Sequence, residues 1–245
     1  NLTSRQTTIF RWVWDNTVSF NKQWNDHTFG VMVGTTAEAY SMNTFSAFRR
    51  DVPAASNLWY INTGNANTST NSGDGDKWSR NSYISRANYN FKDKYLLTAT
   101  LRADGSSRFP LQNRWGTFPS VGLGWVLSEE SFMQGQHLFE TLKLRASWGR
   151  VGNDRIDSDG YLVTVEPNLA YAFGGGTATL GSAITQIKDP NLKWETTEEM
   201  DLGVEFSAMN GRLQGEFGFY DKKSRNLLIN VKVPSVTGDK DGVVL

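Results

Sequence analysis

Tyr95-Leu96-Leu97-Thr98-Ala99-Thr100-Leu101-Arg102 is the stretch that decides the fold. Tyr95, Leu97, Ala99 and Leu101 alternate with Thr98, Thr100 and Arg102. Successive side chains of a β-strand point to opposite faces, so the segment has one apolar and one polar face. The same period recurs on both sides of it. Phe10, Trp12, Trp14, Val18 and Phe20 share a face, against Arg11, Asp15, Thr17, Ser19 and Asn21. Phe29, Val31, Val33, Ala37 and Ala39 repeat the pattern, and Tyr83, Ala87, Tyr89 and Phe91 oppose Ser82, Arg86, Asn88 and Asn90. Val121, Leu123, Trp125 and Leu127 follow. Leu142, Leu144, Ala146 and Trp148 are then set against Lys143, Arg145, Ser147 and Arg150. Leu202, Val204, Phe206 and Ala208, then Leu213, Phe217 and Phe219, complete about eight strands. Several reach the roughly 9–11 residues that cross a bilayer at the tilt of a barrel strand.

Connections between these strands alternate in length. Short links fall at residues 23–26, 91–94 and 209–212, and long ones run from Ser41 to about Asp76 and from Gly152 to about Lys193. A medium link spans Asp104 to Arg114, and a polar tail follows Ile229. The Ser128–Thr141 connection occupies a short-link slot and has room for a helical turn. Outer-membrane barrels sort their loops in this way, with tight periplasmic turns and longer external loops. A soluble β-sandwich shows the same alternation without the sorting. Loop lengths therefore argue for a membrane wall, and alternation alone does not. Phe20, Tyr89, Phe91, Tyr95, Phe206 and Phe217 lie on apolar faces near the tight turns, where an interfacial aromatic girdle belongs.

Composition narrows the function classes. Lys+Arg and Asp+Glu each total 25, so zero net charge gives no electrostatic reason to expect nucleic acid or an anionic membrane surface as a partner. There is no cysteine, hence no disulfide or thiolate metal site. Mean hydropathy is −0.46, and no run of about 18 apolar residues offers a transmembrane helix. No catalytic constellation emerges. Gly-x-Ser-x-Gly is absent, and Gly122-Leu123-Gly124 lacks the third glycine of a dinucleotide loop and lies in a strand. His27 and His137 sit beside predicted turns without partners at ligand spacing and read as solvated turn residues. Asp154, Asp157 and Asp159 near Gly160 weakly resemble a calcium loop, as do Asp74-Gly75-Asp76 and the 239–242 stretch. No Glu closes any of them, so ordinary solvated turns are preferred. No metal and no cofactor is expected.

Trp59-Tyr60 and Tyr171-Ala172-Phe173 place aromatic rings in the two long loops, where they could meet a ligand or a partner or anchor their own loops. Arg86, Arg102 and Arg145 fall on polar faces that would line a lumen, where they are expected to pair with carboxylates such as Glu205 or Glu216, with contact to passing substrate as a second role.

Several ordered motifs carry a family resemblance. Residues 89–109 (YNFKDKYLLTATLRADGSSRF), 115–125 (WGTFPSVGLGW), 128–133 (SEESFM) and 142–149 (LKLRASWG) with Gly152-Asn153 resemble the SusC/RagA-type TonB-linked outer-membrane transporters of Bacteroidetes. So does the 189–197 stretch (DPNLKWETT), where Asp189 stands in place of the usual Asn. The resemblance runs from about Trp78 to Leu228. It implies an all-β fold, an antiparallel transmembrane β-barrel segment supplying about eight strands of a 22-stranded barrel. Residues 1–245 would form part of one TonB-dependent receptor β-barrel domain, without its plug, signal peptide or C-terminal strands. It further implies an outer-membrane location in a Bacteroidetes-type Gram-negative cell, surrounded by outer-membrane lipid. The expected function is energy-coupled import of a glycan, oligosaccharide or peptide. The implied partners are a SusD-like surface lipoprotein and TonB, the latter acting through the plug. A self-contained small barrel serving as adhesin or anchor, and a soluble carbohydrate-binding β-sandwich, are the alternatives.

Overall fold

A computed structural model describes residues 1–136, 138–163, 165–172, 178–184, 188–231 and 243–244. Eight strands form one antiparallel sheet: β1 (Leu2–Trp24), β2 (His27–Arg49), β3 (Thr70–Phe91), β4 (Tyr95–Ser106), β5 (Trp115–Val126), β6 (Phe139–Asn153), β9 (Glu195–Ala208) and β10 (Leu213–Arg225). Their order is β1-β2-β3-β4-β5-β6-β9-β10, so every neighbour in the sheet is also next along the chain apart from one excursion. That excursion is the hairpin of β7 (Val165–Ala172) and β8 (Ala178–Ile184). A short pair, β11 (Asn230–Val231) with β12 (Val243–Val244), follows β10.

The register sorts the side chains. Tyr95, Leu97, Ala99 and Leu101 face Trp125, Leu123, Val121 and Pro119 across β4–β5. Those β5 residues pair onward with β6 as Trp125–Leu144, Leu123–Ala146 and Val121–Trp148. Leu144, Ala146 and Trp148 then meet Val204, Leu202 and Met200, and Val204 and Leu202 meet Phe217 and Phe219. One face of five strands is thus apolar throughout. Its side chains are solvent-exposed in the isolated chain; Phe217 is 73% exposed and Phe219 65%. An exposed apolar surface of this extent needs a nonaqueous neighbour; a soluble sandwich would cover it with a second packed sheet, whereas these eight strands all lie in one sheet.

Two aromatic rows bound that face. Along the tight-turn edge, Trp24 stacks on His27, His27 lies 4.7 Å from Phe91, and Phe91, Tyr95 and Trp125 stack in sequence. At the other edge Tyr83 stacks on Trp115, which pairs with Gly105. From position 95 to position 105, about 3.3 Å per residue tilted by about 40° gives roughly 25 Å, the height of a barrel's apolar band. His27 is therefore no solvated turn residue. It opens β2, half-buried, with Nδ1 2.7 Å from the Tyr89 hydroxyl. Its place in the outward-facing row next to Trp24 was hidden because the sequence does not show which strands pair. His137 lies outside the described residues.

The tight turns use left-handed backbone. Lys92 and Asp93 have φ of 54° and 55°, and Met209, Asn210 and Gly211 have 57°, 56° and 75°. Consecutive positive φ values match the right-handed twist of the flanking strands. The 209–211 turn is also tied down by Glu140, which accepts from the Asn210 and Gly211 N–H groups. The connection after β5 holds two 3-10 turns, Leu127–Glu129 and Ser131–Met133, as its length allowed. Between them Glu130 accepts from the Tyr95 hydroxyl at 2.7 Å and the Trp125 indole at 3.0 Å, with Lys94 at 3.7 Å. The Tyr95 bond, then the Trp125 bond and the Lys94 charge hold its carboxyl below the usual range, against a desolvation that acts the other way. A depressed folded-state pKa contributes stability above the unfolded value and loses it as pH falls through the folded one. Acidification of the folded barrel to below the ordinary carboxylate range is expected to release this link. A change in Trp125 fluorescence would report it, and Glu130→Gln should remove the pH response.

The external connections are more structured than their composition implies. β2 runs to Arg49 and β3 starts at Thr70, so the first long link shrinks to residues 50–69, and Asp74-Gly75-Asp76 lie in β3. Residues 70–76 are polar on both faces and residues 41–49 carry apolar side chains on both, so neither segment alternates and the strands are concealed; backbone pairing above a bilayer needs no apolar face. The 239–242 stretch lies outside the described residues.

The chain divides into two compact units, residues 1–14 with 37–80, and residues 15–36 with 81–245. In the first, Thr7 meets Thr44, Ser46 meets Ser72 and Tyr40 stacks on Trp78. In the second, the buried core is small: Phe109, Phe118, Leu192 and Trp194, joined by Ile156, Tyr161 and Leu228. Trp194 stacks 4.7 Å from Phe109, meets Phe118 edge-on at 5.3 Å and donates its indole N–H to the Arg114 carbonyl. Phe118 belongs to the polar-face set of β5, opposite Arg102. Gly152 makes room for it, since a Cβ there would stand 2.1 Å from the ring.

Candidate functional site

The face opposite the apolar band carries the chemistry. Register puts Arg145 between Gly124 and Gly203. Its side chain lies across Gly203, where a Cβ would come within 2.3 Å of Nε. From there it reaches Glu205 at 3.3 Å, Asp201 at 3.5 Å and, closer still, Glu216. Lys143 joins through Glu205 at 3.1 Å. Two cations thus face three carboxylates in a part-exposed, hydrogen-bonding wall with a slight acidic excess.

A second station lies on β3 and β4. Arg102 Nε donates to both Asp104 carboxylate oxygens at 2.8 Å, and Nη2 donates to buried Ser82 at 3.3 Å. Arg86 reaches Thr100 Oγ1 at 3.3 Å. Of the three expected lumen arginines, only Arg145 meets Glu205 and Glu216. Arg102 and Arg86 sit beyond reach of them, because intervening strands separate β3 and β4 from β9 and β10.

In the first unit, Glu38 is only 3% exposed and lies between Arg11 and Arg80, whose Nη2 is 2.7 Å away. Sequence reasoning missed Glu38. Its position between Ala37 and Ala39 puts it on the polar face, but its two partners depend on cross-strand register.

The placing of Arg150 with the polar set of β6 does not hold. Arg150 is instead two residues past Trp148 on the apolar-side column, opposite Glu198, whose carboxylate it grips. Alternation fixes its parity, and its charge marks where the band ends.

Among the loop aromatics, Trp59 donates its indole to the Pro53 carbonyl at 3.1 Å, which favours an anchoring role, while Tyr60 is 65% exposed. Tyr171 stands in β7 rather than an irregular loop and is 64% exposed. Phe173 lies outside the described residues. Asp154, Asp157 and Asp159 occupy successive backbone turns; the carbonyls of Asp157 and Asp159 accept from Gly160 and Leu162. Among the described residues no group of three or more His, Cys, Asp or Glu side chains is gathered to hold a metal.

An apolar outer band, a charged inner wall and sorted loops describe a wall with two solvents. The family model for "TonB dependent receptor-like, beta-barrel" matches residues 1–241. The chain belongs to this TonB-dependent receptor β-barrel family. Among curated relatives, TonB-dependent receptor SusC of Bacteroides thetaiotaomicron is 41% identical over 155 residues, covering 62% of this chain and 16% of SusC. TonB-dependent receptor P26 of Formosa agariphila is 43% identical over 160 residues, covering 64% and 16%. TonB-dependent receptor P39 of the same organism is 33% identical over 243 residues, covering 96% and 22%. Among solved structures, that of the RagAB peptide transporter matches with a TM-score of 0.85 at 25% identity, over 98% of this chain and 26% of that one. The chain therefore spans about a fifth of the curated receptors it matches. The SusC/RagA resemblance, the outer-membrane location and the antiparallel barrel-wall fold all stand. TonB-dependent receptors are transporters rather than enzymes, in keeping with a wall that arrays ion pairs.

Proposed function

We propose that this chain forms wall and external rim of an energy-coupled importer for a large nutrient, a glycan or a peptide. The observation that carries the proposal is the two-faced sheet: an apolar band about 25 Å tall outside, and the Arg145 and Arg102 stations inside. β1 and β10 are sheet edges, and hydrocarbon does not tolerate unpaired strand edges. Further strands of the same polypeptide would close the barrel, and a plug carrying the TonB contact would fill it. Residues 1–245 are then one part of a single barrel domain. The Arg145 network suits a wall wetted by water and passing polar ligand, since each charge already has partners and none demands a fixed ligand. Exposed Tyr60 and Tyr171 are the aromatic contacts we assign to a ligand or to a SusD-like lipoprotein lid; both kinds of contact favour flat, rigid rings with a polar tip.

Deletion of the full-length gene, followed by uptake of labelled oligosaccharide and peptide pools, tests the proposal. One pool should fail to enter, and dissipating the proton-motive force in wild-type cells should have the same effect. Uptake of every pool unchanged by both treatments would sink the transport reading. In complemented cells, Tyr60→Ala with Tyr171→Ala should weaken apparent uptake affinity about tenfold, as loss of aromatic contacts does, at unchanged receptor abundance.

A further inference from the structure

We propose that the external end of β9 and β10 carries a binding site for a small zwitterion, a short molecule bearing one ammonium and one carboxylate. The ammonium would meet Asp189, and the carboxylate Lys193. The site stands apart from the import reading, because binding there needs no transport.

It is a cavity of about 250 Å³ lined by Asp189, Asn191, Leu192, Lys193, Asn226 and Leu228. Residues 188–193 lead into β9 and residues 226–228 continue from β10, where Thr196 pairs with Arg225. The cavity therefore lies at the head of the β9–β10 ladder and not along the free edge of β10. That end is the external one, because β10 rises from the tight 209–212 turn.

Its walls are set by the protein's own bonds. Asp189 Oδ1 accepts from the Asn191 N–H at 2.8 Å, which fixes the carboxylate. Gln112 and Asn113 hold the carbonyls of Pro190, Asn191 and Leu192, and Leu192 is buried in the external core. Asn226 has a φ of 52°, in the left-handed region. Its Nδ2 donates to the Trp194 carbonyl at 3.4 Å, which leaves Oδ1 as an acceptor beside Asp189 in the lining. Groups already held in place lose little freedom when a ligand arrives.

Charge selects the ligand. Asp189 and Lys193 line one cavity without pairing with each other, and among the described residues neither has a counter-ion. On the neighbouring strands, by contrast, Arg102, Arg145 and Arg150 each rest on a carboxylate. A simple anion would be repelled by Asp189 and a simple cation by Lys193. A neutral sugar would leave both charges as they are. One molecule with both charges satisfies the pair through charge-assisted hydrogen bonds, the stronger kind. Size agrees. The volume is below the roughly 300–1,000 Å³ of sites for drug-sized ligands, and at about 30 Å³ per water it holds roughly eight heavy atoms. A free amino acid and a dipeptide both have this chemistry, and Leu228 offers either an aliphatic surface.

The test uses the full-length receptor, purified in detergent and examined by saturation-transfer NMR. L-valine and glycylglycine are the zwitterionic probes; N-acetylvaline and valinamide each lack one charge. At least one zwitterion should bind about tenfold more tightly than either blocked form, and which one binds identifies a free amino acid or a peptide as the source. Asp189→Asn restores the residue usual in this motif and keeps an acceptor for the Asn191 N–H. It should lose about tenfold, as should Lys193→Met, the scale of one charge-assisted hydrogen bond at a part-exposed site. Arg212→Gln, at the opposite end of β10, should bind as the wild type does. Heat-modifiable electrophoretic mobility verifies that the variants fold, and the blocked probes need no variant at all. Binding of neither zwitterion, equal binding of a blocked form, or wild-type affinity in Asp189→Asn or Lys193→Met would each overturn the proposal.

Discussion

Trp194→Ala should destabilise the external core by about 3–5 kcal/mol, the usual range for removing a buried aromatic ring. The indole is 7% exposed, packs on Phe109 and Phe118, and its N–H is the donor to the Arg114 carbonyl. Truncation leaves a cavity and an acceptor without its donor, and these losses act together. The segment around Leu192 is the part expected to open, because Leu192 is 1% exposed and is buried in this cluster. Asn113 Nδ2 and Gln112 Nε2 also hold the segment, through the carbonyls of Asn191, Leu192 and Pro190. Limited proteolysis of the folded barrel checks this. Cleavage between residues 188 and 194 should accelerate strongly in the variant, while heat-modifiable mobility remains. Unchanged cleavage would show that the cluster does not hold the segment.

Val121→Arg should cost about 2–4 kcal/mol of barrel stability, the penalty for arginine on a lipid-facing strand near the bilayer midplane. Val121 lies between Ala99 and Trp148 in the apolar row, roughly midway between the Trp125 and Trp115 ends of β5. Ser147→Arg, on the opposite face of β6 and opposite Asp201, is the matched control and should change stability by less than about 1 kcal/mol. Unfolding of the full-length barrel from lipid vesicles in denaturant would measure both. Equal penalties at the two positions would remove the assignment of faces on which the whole account rests.

Much of this architecture was legible in the residues. Strand faces follow from period two, so Tyr95, Leu97 and Leu123 could be set on the membrane side from sequence alone. Partners could not. Glu205 was an expected partner for any of three arginines, and only the β6–β9–β10 register gives it to Arg145. The external core is not legible in the same way, because Phe118, on a polar face, and Trp194, after a loop, carry no periodic signal. Strand ends above the bilayer were also hidden. Residues 70–76 are polar on both faces and residues 41–49 mix apolar and polar on both (Met42 and Phe48, Phe45 and Ala47), so no alternation marks them as strand while the backbone ladder continues.

Those long strands have a consequence for recognition. β1 and β2 have 23 residues each and β3 has 22, against the roughly 9–11 that hydrocarbon requires. More than half of each strand therefore stands in water, and the main-chain groups of β2 and β3, which have a strand on either side, are already committed to their neighbours. A disordered loop must surrender conformational freedom when it is gripped, and about 1–2 kcal/mol is lost for each residue fixed. A rim made of laddered strand has surrendered that freedom during folding. Whatever docks there meets a surface whose ordering is complete, and its affinity reflects the contacts themselves.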